Sequence, residues 1–410
     1  MTAITHYRGI SELVCPFLME GDTRSPLEVF QNATLSVADG KVVFAGEQAH
    51  AQIADGDQVV ELDGRAVVPG LIDSHTHIVF AGDRMDEMAR RTRGETYEEI
   101  AKAGGGIVRS VEALRHTELE DIVKESNKRL IHMRGRGTTT IEIKTGYGLE
   151  PKLENLQLEV IDALRTQASP NTIFATALAH VIPPHRRGDR QDYIDEFCRE
   201  VLEPAARQKR VQFCDVFVEA TAYSPDECRY ICQKAKSFGL QIKLHVDQLH
   251  EGGGAALASQ VGALSADHLE KTSSAGQQAL AEAGTIATIL PGCGLFLGGE
   301  NWPNGRALRD AGCEVAIATD CNPGSSMVSD LPLCATLAAT QTGLSLEESL
   351  WGITRGGAKA LGLNDRGTLR SGERADFVVL DHKDWRSLLY NPAAAPIHSV
   401  FIEGKKVAGS

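Results

Sequence analysis

The sequence is poor in aromatic residues, contains no paired cysteine motif and has no long apolar run. Only 5% of its 410 residues are aromatic, and its nine cysteines are scattered. They contain no Cys-x-x-Cys pair, which argues against a disulfide framework or a zinc ribbon. No apolar run approaches the roughly 18 residues of a membrane span, and residues 1–22 show no targeting segment. These absences predict a cytoplasmic protein.

Positive charge is also in deficit. The chain has 42 Lys and Arg residues against 55 Asp and Glu residues, a formal net charge of −13. This balance favours solubility and disfavours nucleic acid or an anionic membrane as a partner. A small anionic substrate therefore requires a local cluster of positive charge. With 42% hydrophobic residues, the chain has ample material for a large core.

Two patterns of strands follow one another along the chain. Up to about residue 65, short alternating segments flank the turn Asp39-Gly40, which is typical of a β-hairpin. From Val67 onward, apolar strands alternate with helical patterns, which predicts βα units and a parallel sheet. Eight such strands are predicted, at residues 66–72, 138–144, 173–178, 211–218, 241–246, 264–267, 285–290 and 314–319. Helices are predicted at residues 154–165, 190–208, 225–238 and 346–361.

Strand signals return near the end of the chain, at residues 375–380 and 399–407. Each end alone has too few strands to be stable, so we expect the two ends to pair into one small domain. The predicted fold is an α/β protein: a (β/α)8 TIM-like barrel at residues 66–364, with a discontinuous β-sandwich from residues 1–65 plus 365–410.

A possible metal site begins at His75-Thr76-His77, where the first predicted strand ends. Histidines at positions i and i+2 of a strand share a face and lie about 6.6 Å apart along it, so both can reach one divalent ion. A lone His-x-His also recurs by chance as two partly exposed histidines. His245 and Asp320 lie at two further strand ends, where a barrel places its chemistry. Three imidazoles and a carboxylate suit zinc or ferrous iron.

His268 ends another predicted strand and is a candidate base or oxyanion stabiliser rather than a ligand. These positions lie in segments that resemble the metal-dependent amidohydrolase superfamily, and the resemblance spans nearly the whole chain. The segments are residues 69–77, His245, residues 267–270, Asp320 and residues 367–380. The resemblance implies one zinc or iron ion per subunit held by His75, His77, His245 and Asp320, with Asp320 and His268 in catalytic roles.

A narrower resemblance is to the members of that superfamily that open the ring of 4-imidazolone-5-propanoate with water, in histidine degradation. It is carried by residues 80–84, 103–107, 142–149, 179–184 and 318–325. The product is N-formimidoyl-L-glutamate, and water activated by the metal attacks the ring carbonyl. The resemblance implies a homodimer and the following substrate-binding residues: Arg84, Tyr147, His180, Gln248, Asn322, Gly324 and Ser325.

Each of these positions also has a plain structural interpretation. Arg84 alone would be a surface ion pair, Tyr147 a half-buried aromatic residue and His180 a histidine at the edge of the core. Residues 322–325 read as an ordinary Asn-Pro-Gly turn. Gly104–Gly106 is hypothesised to be a mobile loop that covers the site during turnover.

One position departs from the superfamily pattern. Gln248 stands where many relatives carry a glutamate, and an amide cannot act as a general acid or base. This counts against an adenosine, guanine or cytosine deaminase and leaves proton transfer to Asp320 or His268. Two alternatives stay open: an amidohydrolase for another cyclic amide or amidine, and a non-catalytic scaffold.

Overall fold

A computed structural model describes residues 4–17, 27–95, 99–100, 103–166, 170–299, 301–394 and 396–409. The first of its two eight-stranded sheets brings both ends of the chain together. Its strands are Thr5–Pro16, Leu27–Ala38, Lys41–Glu47, Gln58–Glu61, Val67–Pro69, Phe377–Leu380, Ile397–Ile402 and Lys405–Gly409. The predicted pairing of the two chain ends is confirmed, since Phe377–Leu380 pairs with Val67–Pro69 and the latter with Thr5–Pro16.

The predicted hairpin lies at the edge of this sheet. Leu27–Ala38 and Lys41–Glu47 pair antiparallel, and the turn residues Asp39 and Gly40 have φ angles of 50° and 74°. Positive φ at both central positions matches the right-handed twist of the flanking strands. The sheet has its own core, in which the Phe377 and Phe401 rings stack with centroids 4.4 Å apart.

The second sheet is the predicted barrel. Eight parallel strands are hydrogen-bonded in chain order, and we number them first to eighth. They are Leu71–Asp73, Thr138–Lys144, Thr172–Ala179, Phe213–Val218, Gln241–Val246, Ser265–His268, Ile286–Ile289 and Val315–Ile317. The ends meet through Thr76 and Cys321: the His77 N–H donates to the Cys321 carbonyl, and the Asp320 N–H to the His75 carbonyl, both at 3.0 Å. Closure therefore brings the His75–His77 segment beside Asp320.

The prediction of a single strand over residues 66–72 is wrong, because this segment divides between the two sheets. Val67–Pro69 pairs with the C-terminal strand Phe377–Leu380, whereas Leu71–Asp73 pairs with the second barrel strand. The chain changes sheets at Gly70, whose N–H donates to the Asp376 carbonyl at 2.8 Å. A side chain at Gly70 would overlap Thr139, so the close approach of the two sheets requires glycine here. The domain bounds themselves stay a prediction.

Helices surround the barrel and alternate with its strands. The α-helices are Met85–Arg91, Ile107–Arg115, Leu119–Gly135, Pro151–Thr166, Arg190–Phe197, Glu203–Arg207, Pro225–Ser237, Gly254–Gln260, Ser274–Ala283, Pro291–Phe296, Gly305–Asp310, Leu331–Gln341, Leu346–Trp351, Gly357–Ala360 and Ser387–Tyr390. The predicted helices at 190–208 and 346–361 are each interrupted by a π-helical turn, Cys198–Leu202 and Gly352–Gly356. Short 3-10 turns occur at Gln48–His50, Pro184–Arg186 and Pro392–Ala394.

The described part of the chain contains no helix that is both long and apolar enough to span a bilayer. All nine cysteines are free and buried, as expected for residues that serve mainly as small apolar side chains.

Candidate active site

Five buried polar side chains converge where the barrel strands end. His75 and His77 follow the first strand, and His245 is the fifth residue of the fifth strand. His268 is the last residue of the sixth strand, and Asp320 lies three residues past the eighth. Each is at most 3% exposed. The structure therefore brings together all the residues that the sequence predicted for metal binding and catalysis.

The spacing of these side chains fits a divalent ion. His75 Nε2 and His77 Nε2 lie 3.3 Å apart, and Asp320 Oδ1 lies 3.4 and 3.5 Å from them. Tetrahedral ligands bound at about 2.0 Å lie about 3.3 Å from one another, so these separations match the edges of a zinc site. Both ring nitrogens of His245 are buried without a hydrogen-bond partner among the described residues, which is expected of a histidine that binds a metal.

His245 and His268 both lie close to His75, with ring centroids 4.4 and 5.8 Å from that of His75. Each belongs, with His75, to one group whose potential ligand atoms lie within 4.8 Å of one another. A further group of this kind joins His268, Asp320 and Cys293. We call His75, His77, His245 and His268 the histidine cluster. Its first member, His75, can hold a metal together with either His245 or His268, and the predicted division into ligand His245 and catalyst His268 stays a prediction.

A carboxylate lies behind each of two histidines, and one of these carboxylates orients its ring by a hydrogen bond. His75 Nδ1 lies 2.7 Å from Asp267 Oδ2. A carboxylate accepts, so Nδ1 carries the proton and Nε2 is left unprotonated for a metal. His245 Nδ1 lies 3.0 Å from Asp215 Oδ2, although the angle does not suit a hydrogen bond.

These carboxylates belong to a fully buried ionic layer below the histidines. Lys144 Nζ lies 2.8 Å from Asp215, 3.0 Å from Glu142 and 3.5 Å from Asp267, while Lys243 Nζ lies 3.3 Å from Glu142. Burial alone would lower the pKa of Lys144, but the three carboxylates outweigh it and raise that pKa. Such pairing is what makes buried charge tolerable.

The ionic layer was missed in the sequence, although a signal was there. Ionisable residues occupy alternate buried positions of two strands, as in Glu142 and Lys144 or Lys243 and His245. Alternate residues of a strand face the same side, so these side chains had to meet inside the barrel. Glu270 and Cys293 were also missed, and the rule that polar groups at strand ends are functional candidates would have found both.

Burial shifts the protonation of the site. It raises the pKa of Asp320 to about 7. It alone would lower the pKa of His268, but Glu270, whose Oε1 lies 3.4 Å from His268 Nδ1, and Asp320 outweigh it and raise that pKa. Perturbed pKa values of this kind cluster at functional sites.

Backbone strain also occurs at these strand ends. Asp247, His268, Leu269 and Asp320 all have positive φ angles, of 52°, 87°, 71° and 52°. Such conformations cost free energy in residues other than glycine and persist where the surrounding structure enforces them. Here they turn the chain away from the barrel directly at the histidine cluster.

A cavity of about 290 Å³ adjoins this cluster. Its lining includes all seven predicted substrate-binding residues: Arg84, Tyr147, His180, Gln248, Asn322, Gly324 and Ser325. Tyr147 and His180 connect it to the histidines, since their ring centroids lie 5.6 and 6.1 Å from that of His77. The volume suits a small ligand.

Arg84 is a buried ion pair rather than the surface pair of the plain interpretation. Its Nε and Nη2 donate to Glu87 Oε2 at 2.8 and 2.6 Å, and both side chains are at most 3% exposed. Nη1 lies directly against Gly324, where any side chain would overlap it. Gly324 is itself held by a 3.0 Å hydrogen bond from Arg91 to its carbonyl.

Tyr147 is held by the helix that follows it. The Glu154 carboxylate accepts from the N–H groups of Gly146, Gly148 and Leu149 at 2.9, 2.8 and 2.8 Å. The Tyr147 N–H donates to Gln157 at 3.0 Å. The side chain is 4% exposed, so the expectation of a half-buried aromatic is replaced by a buried one.

His180 has a defined tautomer. Its Nδ1 lies 3.0 Å from the Gly146 carbonyl, which can only accept, so Nδ1 carries the proton. Burial lowers the pKa of His180 to about 4. The ring is therefore neutral at pH 7, and Nε2 is a hydrogen-bond acceptor.

Asn322 uses its amide within its own turn. Oδ1 accepts from the N–H groups of Gly324 and Ser325 at 2.8 Å each, and Nδ2 donates to the Asp320 carbonyl at 2.7 Å. These contacts are those of the plain turn interpretation, and they position Ser325, whose Oγ lies 3.5 Å from Asp320 Oδ2. Gln248 lies across the cavity, with Nε2 3.6 Å from Cys293 Sγ.

The glycine triplet Gly104–Gly106 borders the cavity through Gly105 and Gly106. The Gly106 N–H donates to Glu87 Oε1 at 2.9 Å, and a helix begins at the next residue. The hypothesis that this loop moves during turnover stays a prediction, and residues 101–102 lie outside the described part of the chain.

Comparison with known proteins agrees with this geometry. The amidohydrolase family matches residues 66–407. The chain is 41% identical over 383 residues to the imidazolonepropionase of Mesorhizobium japonicum, covering 92% of this chain and 93% of that protein. It is 40% identical over 405 residues to the imidazolonepropionase of Deinococcus radiodurans, covering 98% and 99%. The chain belongs to the imidazolonepropionases of the amidohydrolase family.

Solved structures show the same fold at low sequence identity. Guanine deaminase of E. coli matches with a TM-score of 0.68 and 17% identity, covering 100% of both chains. An atrazine chlorohydrolase from Arthrobacter aurescens, complexed with zinc, matches with a TM-score of 0.73 and 17% identity, covering 99% of this chain and 95% of that one. The present chain, as a member of the amidohydrolase family, is a hydrolase that consists of a barrel and a separate sheet.

Proposed function

We propose that the protein hydrolyses 4-imidazolone-5-propanoate to N-formimidoyl-L-glutamate in histidine degradation. The observation that carries this proposal is that the histidine cluster adjoins a 290 Å³ cavity whose lining includes Arg84. A ring placed against the histidines would extend its propanoate into that cavity. The guanidinium of Arg84 suits the carboxylate of that propanoate.

The proposed ligands of one zinc or iron ion are His75, His77, His245 and Asp320. Bound there, the metal would lower the pKa of a water molecule towards 7 and polarise the ring carbonyl. The four side chains offer three imidazole nitrogens and one carboxylate oxygen, a donor set that suits either metal. Support comes from the 3.3 to 3.5 Å separations of three of these donor groups.

Asp320 and His268 are the proposed catalytic residues. Asp320 takes the proton from the attacking water, and the C–N bond between the carbonyl carbon and the ring nitrogen breaks. The same carboxyl group then gives that proton to the departing nitrogen. His268 donates a hydrogen bond to the oxygen that gains negative charge. Gln248 cannot exchange protons and is assigned to orienting the ring.

The cavity residues differ in whether they donate or accept hydrogen bonds. Arg84 and Tyr147 offer donors and suit the propanoate carboxylate. His180 offers an acceptor at Nε2, which suits a ring N–H better than a carboxylate. The turn of Asn322, Gly324 and Ser325 completes the wall beside Asp320. We assign to this turn the contacts with the substrate ring or with the product.

The direct test follows the loss of imidazolone-propanoate absorbance with metal-depleted protein and after restoring zinc or iron. We expect activity only in the restored protein. Turnover that survives Arg84→Ala would favour another cyclic amide or amidine as the substrate. Purified protein that binds no zinc or iron stoichiometrically would instead support a non-catalytic scaffold.

Two further parts of the proposal concern the protein in the cell. We propose a homodimer in the cytoplasm, with a small carboxylate substrate and neither nucleic acid nor membrane as a partner. The net charge of −13 supports the exclusion of polyanionic partners. Light scattering of the purified protein tests the dimer directly.

A further inference from the structure

Arg187 is a second arginine on the wall of the substrate cavity, and none of the substrate contacts proposed above uses it. It directly follows the 3-10 turn Pro184–Arg186, and its N–H donates to the Pro184 carbonyl. Arg187 lies seven residues after His180, which also lines the cavity. The side chain is exposed, so it lies where the cavity opens to solvent.

The charge of the first arginine is already balanced. Arg84 places two of its nitrogens on the Glu87 carboxylate, and the pair is almost fully buried. Arg84 can therefore offer a hydrogen bond from Nη1 but contributes little net positive potential to an incoming anion. No carboxylate residue lines the described wall of the cavity.

The neighbouring Arg186, like Arg84, is paired with carboxylates, whereas Arg187 is not. Arg186 is neutralised by Asp189 at 2.8 Å and Glu196 at 2.5 Å. Among the ion pairs of the described residues, none involves Arg187. On a protein with a net charge of −13, an unpaired cation at a cavity opening concentrates the local positive field there.

We infer that Arg187 is the unneutralised cation that draws an anionic substrate into the cavity and binds its carboxylate at the exposed side. It is a specificity residue that favours carboxylate ligands over neutral ones. The identity of that ligand rests on the proposed function, whereas the preference for a carboxylate can be measured without turnover.

The first experiment compares turnover by wild-type protein, Arg187→Gln, Arg187→Lys and the matched control Arg186→Gln. We expect Arg187→Gln to raise KM for imidazolone-propanoate about fivefold at low salt, the effect of one exposed charge contact, with kcat unchanged. That difference should shrink as the salt is raised to about 0.5 M, because salt screens exposed charges. Arg187→Lys keeps the charge and should retain most of the wild-type KM, and Arg186→Gln should not change it.

The second experiment measures equilibrium binding of imidazole-4-propanoate and of its neutral amide to the same four proteins by calorimetry. Wild-type protein should prefer the carboxylate, and Arg187→Gln should lower that preference about fivefold. This result would support the inference even if imidazolone-propanoate were not turned over, in which case only the proposed function fails. An unchanged carboxylate preference in Arg187→Gln, or an equal loss in Arg186→Gln, would overturn it.

Discussion

His75 Nδ1 lies 2.7 Å from Asp267 Oδ2, and neither side chain is exposed to solvent. The contact directs His75 Nε2 towards His77 and Asp320. Asp267 is in turn held by Ser265 Oγ at 2.6 Å and by Lys144 at 3.5 Å. The orientation of one proposed metal ligand thus depends on the ionic layer inside the barrel.

Replacing Asp267 with asparagine should weaken metal binding. The amide keeps the shape but loses the negative charge that favours the Nδ1-protonated imidazole, and changes of this kind cost about 10- to 100-fold in metal affinity. Competition for zinc against a chromophoric chelator measures the effect without relying on activity. The exposed Asp226→Asn variant is the control, and wild-type zinc affinity in Asp267→Asn would show that the contact has no such role.

Replacing Gly324 with alanine should displace Arg84. The added methyl group overlaps Nη1, so the guanidinium must leave its contact with the turn. We expect KM for imidazolone-propanoate to rise about tenfold with a smaller change in kcat, since a shift of an ångström at a binding group is costly. Steady-state kinetics test this against Gly135→Ala, where an added methyl group meets open space. A KM equal to that of wild type would mean that Arg84 tolerates the displacement or does not bind substrate.

Removing the Glu154 carboxylate should both loosen the Tyr147 loop and destabilise the fold. Glu154→Ala leaves three N–H groups without their acceptor, and unpaired buried donors cost about 1 to 3 kcal/mol each, so a loss of at least about 3 kcal/mol is expected. Urea denaturation measures the free energy of unfolding. Glu159→Ala, an exposed position on the same helix, should change it little, and equal losses in both variants would contradict this account.

Metal removal should lower the melting temperature. The His75, His77 and Asp320 donors converge within 3.5 Å of one another, and a ligand that binds only the folded state stabilises it. We expect dialysis against a chelator to lower Tm and zinc or iron, but not magnesium, to restore it. Differential scanning calorimetry checks this, and a Tm that is insensitive to metal would argue against a site at these residues.

Much of the architecture could be predicted because local patterns report it directly. The apolar strands at 138–144 and 241–246 have the predicted bounds, and the turn Asp39-Gly40 forms the predicted hairpin. The expectation that functional residues lie at the ends of barrel strands identified His75, His77, His245, His268 and Asp320, because parallel barrel strands all present their carboxyl ends to one face. Family resemblance, rather than spacing, supplied the seven cavity residues.

Other features depend on contacts between residues far apart in sequence. The division of residues 66–72 between two sheets follows from pairing with a strand about 300 residues later, which no local pattern encodes. Only the tertiary structure shows that Arg84 forms a buried ion pair, whereas Arg187 is exposed and forms no ion pair with another described residue. The proton on His180 Nδ1 was decided by a carbonyl 34 residues away. The amino-acid sequence by itself determined which chemical groups reach the site, and the tertiary structure decided their charge, orientation and partners, because those depend on what each group meets once water is excluded.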